Sequence, residues 1–236
     1  MSPKGLTIVA AVASSVLWAT GAAATTCTGT CLEIGLGATP TSDVVAGPTN
    51  GSVTFSSTGV AGFSQVTVTG TGNPPLSLPA LLDTTNINVT ASGSGTQTLD
   101  VWITETGLTS PTGTTVPFLS GLDLNGDSSP GITVTENTYL DLGNGAFATT
   151  TQLASQVLNP NGSMVVLQAG NTGSGPYSIT AEYIVTLNSG QNADGTIDIS
   201  VAPLPGALVL FGSVLFGGLG ISSLRKRRRG PASVMA

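Results

Sequence analysis

The sequence predicts an all-β protein: an antiparallel β-sandwich ectodomain between an N-terminal signal peptide and one C-terminal transmembrane helix. Three observations carry that expectation. Between residues 51 and 201, apolar and polar residues alternate in several short runs, the period of a strand with one buried face. Thr, counted 35 times in 236 residues, suits a pleated surface, and 32 Gly suit the turns between strands. Both ends carry uncharged apolar runs next to basic residues.

Residues 1–24 have the pattern of a secretory signal. Lys4 supplies the positive start, residues 6–19 an apolar stretch, and Ala22-Ala23-Ala24 a small-residue cleavage site. The apolar stretch falls short of the ~20 residues a membrane span needs, and an uncleaved anchor is the alternative.

Residues 25–50 are rich in Thr and Gly with little alternation, and are expected to form an arm. They hold the only cysteines, Cys27 and Cys31. Outside the cytoplasm two such neighbours most often form a disulfide. A redox pair is the alternative, but redox motifs usually space their cysteines by two residues. So short a loop contributes little entropic stabilisation.

Residues 51–201 are expected to form the sandwich body. The longest alternation sets Tyr177, Ile179, Ala181, Tyr183, Val185 and Leu187 against Ser178, Thr180, Glu182, Ile184 and Thr186. A second sets Leu99, Val101 and Ile103 against Asp100, Trp102 and Thr104. Shorter candidates are residues 52–55, 65–69, 86–90, 132–135, 163–168 and 196–201, with Gly-, Asn- and Pro-rich connections between them. No segment longer than a turn has helical periodicity, and no repeat of fixed period occurs. Short strands with short connections suggest two packed antiparallel sheets.

Charge excludes most chemistry from the body. Residues 25–224 hold all twelve acidic residues and no Lys, Arg or His, a formal charge of −12. Nucleic-acid binding needs cations against phosphate. A Ser-His-Asp triad and a His-ligated metal need histidine. A Schiff base and a P-loop need lysine. What remains is carboxylate chemistry at Asp100, Glu105, Glu136 and Asp141, none in a recognisable setting. No enzyme activity and no cofactor are expected. Repulsion among carboxylates should raise their folded pKa values and make the fold more stable as pH falls from neutrality.

Three features point to binding. Asp123, Asn125 and Asp127 resemble the start of a calcium loop, with oxygens on alternate positions. Ser128 and Val134 stand where an EF-hand needs Gly and Glu, and a hairpin turn is the alternative. Trp102 lies on the strand face away from Leu99, Val101 and Ile103, where it would stack on a sugar ring or pack beneath a loop. Thr67, Thr69 and Thr71 form a short ladder that reads as ordinary exposed strand threonine.

The C-terminal end is built in three parts. Pro203, Leu204 and Pro205 fix an extended backbone that can join neither sheet nor helix. Residues 206–224 carry no charge and, as a helix, span about 28 Å at about 1.5 Å per residue. Arg225, Lys226, Arg227, Arg228 and Arg229 follow at once. By the positive-inside rule they stop transfer and remain cytoplasmic with residues 230–236, leaving the acidic body outside. A nuclear or nucleic-acid patch does not suit a basic run flush against an apolar helix.

In this order, residues 202–229 resemble a PEP-CTERM sorting signal: Pro-x-Pro, one membrane helix rich in Gly, and an Arg-rich end. Leu204 replaces the family's usual Glu, as in the P-L-P variant. The resemblance implies a Gram-negative bacterium, export across the inner membrane, and a type I membrane intermediate held by the C-terminal helix. It further implies recognition by an exosortase-like membrane protease and release to the cell surface or exterior. The implied partners are exopolysaccharide or other biofilm matrix components. The expected function is that of a secreted or surface structural, matrix-associated protein; a carbohydrate-binding β-sandwich anchored at the cell surface is the alternative.

Overall fold

The computed structural model describes residues 31–38, 45–46, 51–60, 62–126, 130–159 and 161–202. The signal peptide, Cys27, Asp127, the Pro203-Leu204-Pro205 motif, the apolar run 206–224 and the basic cluster lie outside the described residues.

Twelve strands follow in chain order: β1 (Cys31–Leu36), β2 (Val45–Ala46), β3 (Ser52–Ser57), β4 (Phe63–Gly72), β5 (Ala80–Ala91) and β6 (Thr96–Leu108), then β7 (Val116–Gly126), β8 (Thr133–Asp141), β9 (Thr151–Leu158), β10 (Gly162–Gly170), β11 (Tyr177–Asn188) and β12 (Asn192–Val201). They form two six-stranded sheets. The first has the order β2-β1-β6-β11-β8-β9 and the second β10-β7-β12-β5-β4-β3. Every strand pairing is antiparallel. The chain crosses between sheets repeatedly, so strands adjacent in sequence often face one another across the core. The described body is thus the antiparallel two-sheet sandwich that alternation predicts.

The alternating residues fall as the period requires. Leu99, Val101 and Ile103 of β6 and Ile179, Ala181, Tyr183 and Val185 of β11 point into the core. From the second sheet Val66, Val68, Ile87, Leu122, Ile197 and Ile199 meet them. Removing this apolar surface from water is the main favourable term in the fold.

Three expectations need correction. Residues 25–50 are not wholly an arm: Cys31–Leu36 is β1, paired with β6 from Cys31↔Thr106 to Leu36↔Val101. Ile34 and Leu36 are buried, which gives this short segment its place in the core. Asp123 and Asn125 lie within strand β7 rather than in a loop. The segment Thr151–Leu158, for which no strand was expected, forms the edge of the first sheet.

The interior also holds two carboxyl groups. Glu136 accepts hydrogen bonds from Ser120, from Thr138 at 2.7 Å and from Gln156 at 2.5 Å. Burial raises its pKa, and these three donors act against the rise. Glu105 is buried at the end of β6, and burial pushes its pKa up to about 8, opposed by the Asn73 N–H. At neutral pH that carboxyl is mostly protonated.

Candidate functional site

The outer face of the first sheet carries a hydrogen-bonded polar row, exposed at Gln152, half-buried at Asn137 and Tyr139 and buried at Glu182. Register sets it. Glu182 on β11 stands between Trp102 on β6 and Asn137 on β8. One rung along, Thr180 stands between Thr104 and Tyr139, and Tyr139 is opposite Gln152 on the edge strand β9. Side chains two residues apart on a strand share a face, so four neighbouring strands bring these groups together.

Hydrogen bonds join them into a row. Gln152 Nε2 donates to Asn137 Oδ1 at 3.2 Å, and Asn137 Nδ2 donates to Glu182 Oε2 at 3.0 Å. The Tyr139 hydroxyl donates to the same Oε2 at 3.2 Å. Burial, then the charge of Glu182 and this hydrogen bond, push the Tyr139 phenol up to about 12. It therefore remains a donor throughout the neutral range. Thr104 and Thr180 share a bond of 3.0 Å beneath the row.

The β8–β9 loop borders one end of this face. Gly107 N–H donates to Asn144 Oδ1 at 2.6 Å, and Ser178 Oγ donates to the Gly145 carbonyl at 2.7 Å. Asn144 adopts φ 56°, a left-handed conformation that Asn tolerates better than most residues. Asp141 ties the loop to its own stem. Burial raises its pKa, but hydrogen bonds from Thr150, Gly145 and Gly143 outweigh that and hold it below the usual carboxylate range.

The sequence-predicted residues take different places. Trp102 does lie on the outer face, but it is only 7% exposed and its indole N–H donates to the Gly37 carbonyl at 3.0 Å. It packs beneath the segment after β1, the second of the two sequence readings, and offers no open ring face for a sugar platform. Glu105 and Glu136 point into the sandwich and Asp100 points out, so these carboxylates form no common surface site. Asp123 and Asn125 lie on the second sheet, joined by an Asn125 Nδ2 to Asp123 Oδ1 bond of 2.6 Å. Among the described residues no group of three or more potential ligands of the His, Cys, Asp or Glu type comes together. Cys31 opens β1, and its expected partner Cys27 is outside the described residues.

Sequence reasoning missed Asn137, Tyr139 and Gln152. Alternation did place Glu182 opposite the core face of β11. Which residues of other strands stand beside it is a matter of register, and alternation within one strand carries no information on that.

β12 ends at Val201. Ala202 N–H donates to the Pro117 carbonyl at 2.9 Å, and Pro203 is the next residue. An apolar cleft of about 260 Å³ lies at this end, lined by Leu78, Pro79, Pro111, Val201 and Ala202.

No family model matches the chain, and no curated protein matches it. Solved structures give distant likenesses. A complex of TmCBM61 with β-1,4-galactotriose has 11% identity and a TM-score of 0.33, over 65% of this chain and 88% of that one. The C-terminal CBM6 of LamC, a marine laminarinase from Zobellia galactanivorans, has 17% identity and a TM-score of 0.26, over 48% and 79%. The enzymatically active domain of tailspike protein 4 from bacteriophage CBA120 has 18% identity and a TM-score of 0.30, over 58% of this chain and 18% of that one.

Proposed function

We propose that the body is a carbohydrate-binding β-sandwich presented at the cell surface, and that its binding face is the outer side of the first sheet. The row Gln152–Asn137–Glu182–Tyr139 carries this reading. A sugar is bound by groups that donate and accept hydrogen bonds in fixed positions. Here two amides and a phenol that stays protonated, of which Gln152 is exposed and Asn137 and Tyr139 are half-buried, are held in place by the buried carboxylate of Glu182 behind them. Residues 25–224, with a formal charge of −12 and no cation, repel acidic polysaccharide, so the ligand is a neutral glycan. Pull-down of the full chain on insoluble neutral glycans tests the reading. Retention that is lost in Glu182→Gln and Gln152→Ala supports it. No retention, or equal retention of the variants, overturns it.

The tail supplies the route to the surface. In this reading an exosortase-like protease acts at Pro203, Leu204 and Pro205 while residues 206–224 hold the chain in the membrane and the cluster Arg225–Arg229 stops transfer. The bond from Ala202 N–H to the Pro117 carbonyl supports it, because it fixes the residue that precedes the motif to the folded body. A matrix-associated structural protein is the second reading. The same tail favours it, and it requires no ligand on the first sheet.

A further inference from the structure

The edge strand β10 is unlike the other edges of the sandwich. It pairs with β7 without a break from Gly162↔Leu124 to Gly170↔Val116, and no second strand among the described residues pairs with it, although β9 packs nearby. Proteins usually protect such an edge with Lys, Pro, a bulge or a very short strand. β10, GSMVVLQAG, has none of these. Its outward side chains are also apolar: Val165 is 67% exposed and Leu167 60%. The remaining edges differ: two are short or bulged, and the third is polar where β10 is apolar. β2 is two residues long. β3 presents Ser52, Thr54 and Ser56, bonded to Thr71, Thr69 and Thr67. β9 carries a register shift against β8.

We propose that β10 pairs antiparallel with β10 of a second copy of this chain, joining two second sheets edge to edge. Charge selects the occupant. Two bodies that carry only acids repel each other wherever carboxylates face, but residues 142–181, which include β9 and β10, hold no charged side chain. This flank is where two copies approach with least repulsion. The strand is also nearly its own complement. About a twofold axis at Val166, Val165 meets the second copy's Leu167, Met164 meets its Gln168, and glycines meet at both ends. Such a symmetric, closed contact buries the exposed apolar pair and satisfies the open backbone groups together. The proposed glycan row lies on the other sheet, with Gln152 on β9 its member nearest the contact.

Light scattering of the full chain in a non-ionic detergent, across a wide concentration range, tests the proposal. The wild type is expected to reach the protein mass of two chains. Leu167→Lys and Val165→Lys, both at exposed positions, are expected to stay at one. Thr54→Lys places the same charge on the opposite edge strand and is expected to keep two. Independently, oxidised Val166→Cys is expected to cross-link to itself far more than Thr54→Cys. A wild type of one chain overturns the proposal. So do two chains persisting in both β10 variants, which would place the contact in the tail or another face, and loss of the pair in Thr54→Lys. Equal cross-linking of the two cysteine variants overturns it as well.

Discussion

The carboxyl of Glu105 occupies the space that a side chain at Gly72 would need. A β-carbon built on Gly72 would stand 1.7 Å from Glu105 Oε2. The two residues come from opposite sheets, so the pair fixes how closely this end of the sandwich closes. Gly72→Ala must push the carboxyl or the strand aside, at a cost of about 1–3 kcal/mol. A lowered melting temperature in Gly72→Ala, restored in part by Glu105→Ala, is the expected outcome. An unchanged melting temperature would show that the closure is looser than described.

Burial of Glu105 makes stability depend on pH. Its folded pKa of about 8 lies above its ordinary value of 4.5. The folded state therefore holds a proton that the unfolded chain releases. The stabilisation is complete below 4.5 and is lost as pH rises through about 8, on the order of a few kcal/mol in all. Glu136, Asp83, Asp100 and Asp198 are raised as well, again chiefly by burial. Melting temperature should fall steadily from pH 5 to pH 8, and the fall should be shallower in Glu105→Gln. A melting temperature that rises over this interval contradicts the assignment.

The sequence suggests repulsion as the cause of these shifts, and the structure puts burial first. Among the described carboxylates with a shift, a neighbouring carboxylate contributes only at Asp83, from Asp198, with which it is in register on adjacent strands. Screening by salt acts on that pair and leaves burial untouched. Sodium chloride should therefore move the melting temperature much less than the change in pH does. Equal effects of salt and pH would restore repulsion as the dominant cause.

The Glu136 cluster is expected to be costly to break. Ser120→Ala removes one donor from a buried carboxyl that has no cation near it. The loss should be about 1–3 kcal/mol, the penalty of a buried polar group left short of a partner. Chemical denaturation of Ser120→Ala beside Ser120→Thr, which keeps the hydroxyl, measures it.

The absence of Lys and Arg from residues 25–224 gives a protease test. Trypsin should leave the exported body intact even when it is unfolded in urea. If the Pro203-Leu204-Pro205 motif is processed, C-terminal mass spectrometry of the extracellular form should find no residues 225–236. Recovery of those residues from the cell exterior would contradict the sorting route.

The strands that were legible in the sequence are those whose outer and inner residues differ in polarity. β6 and β11 alternate cleanly because their inner faces are mostly apolar. β7 was hidden because its inner face includes Ser120, spent on Glu136, while Pro117 and Gly121 interrupt the outer face. β9 was hidden because Leu153 and Ala154 are both buried at the register shift opposite Thr138 and Tyr139, and because Gln156 points inward. In both, a buried polar network disguises strands that hydrophobic alternation would otherwise reveal. The outer row was illegible for a different reason. Glu182 is brought to Asn137 and Tyr139 by β11–β8 register, and Gln152 by β8–β9 register, which pattern within one strand does not encode.

The most direct measurement of the proposed glycan face is the side-chain amide signals of Asn137 and Gln152 in the full chain, followed by NMR as a neutral oligosaccharide is added. Both amides lie in the row that is proposed to hold the sugar. The account predicts that these two signals shift and saturate together, while Asn88 and Asn125 on the second sheet stay in place. Shifts confined to the second sheet, or none at any amide while the oligosaccharide is in excess, would contradict it.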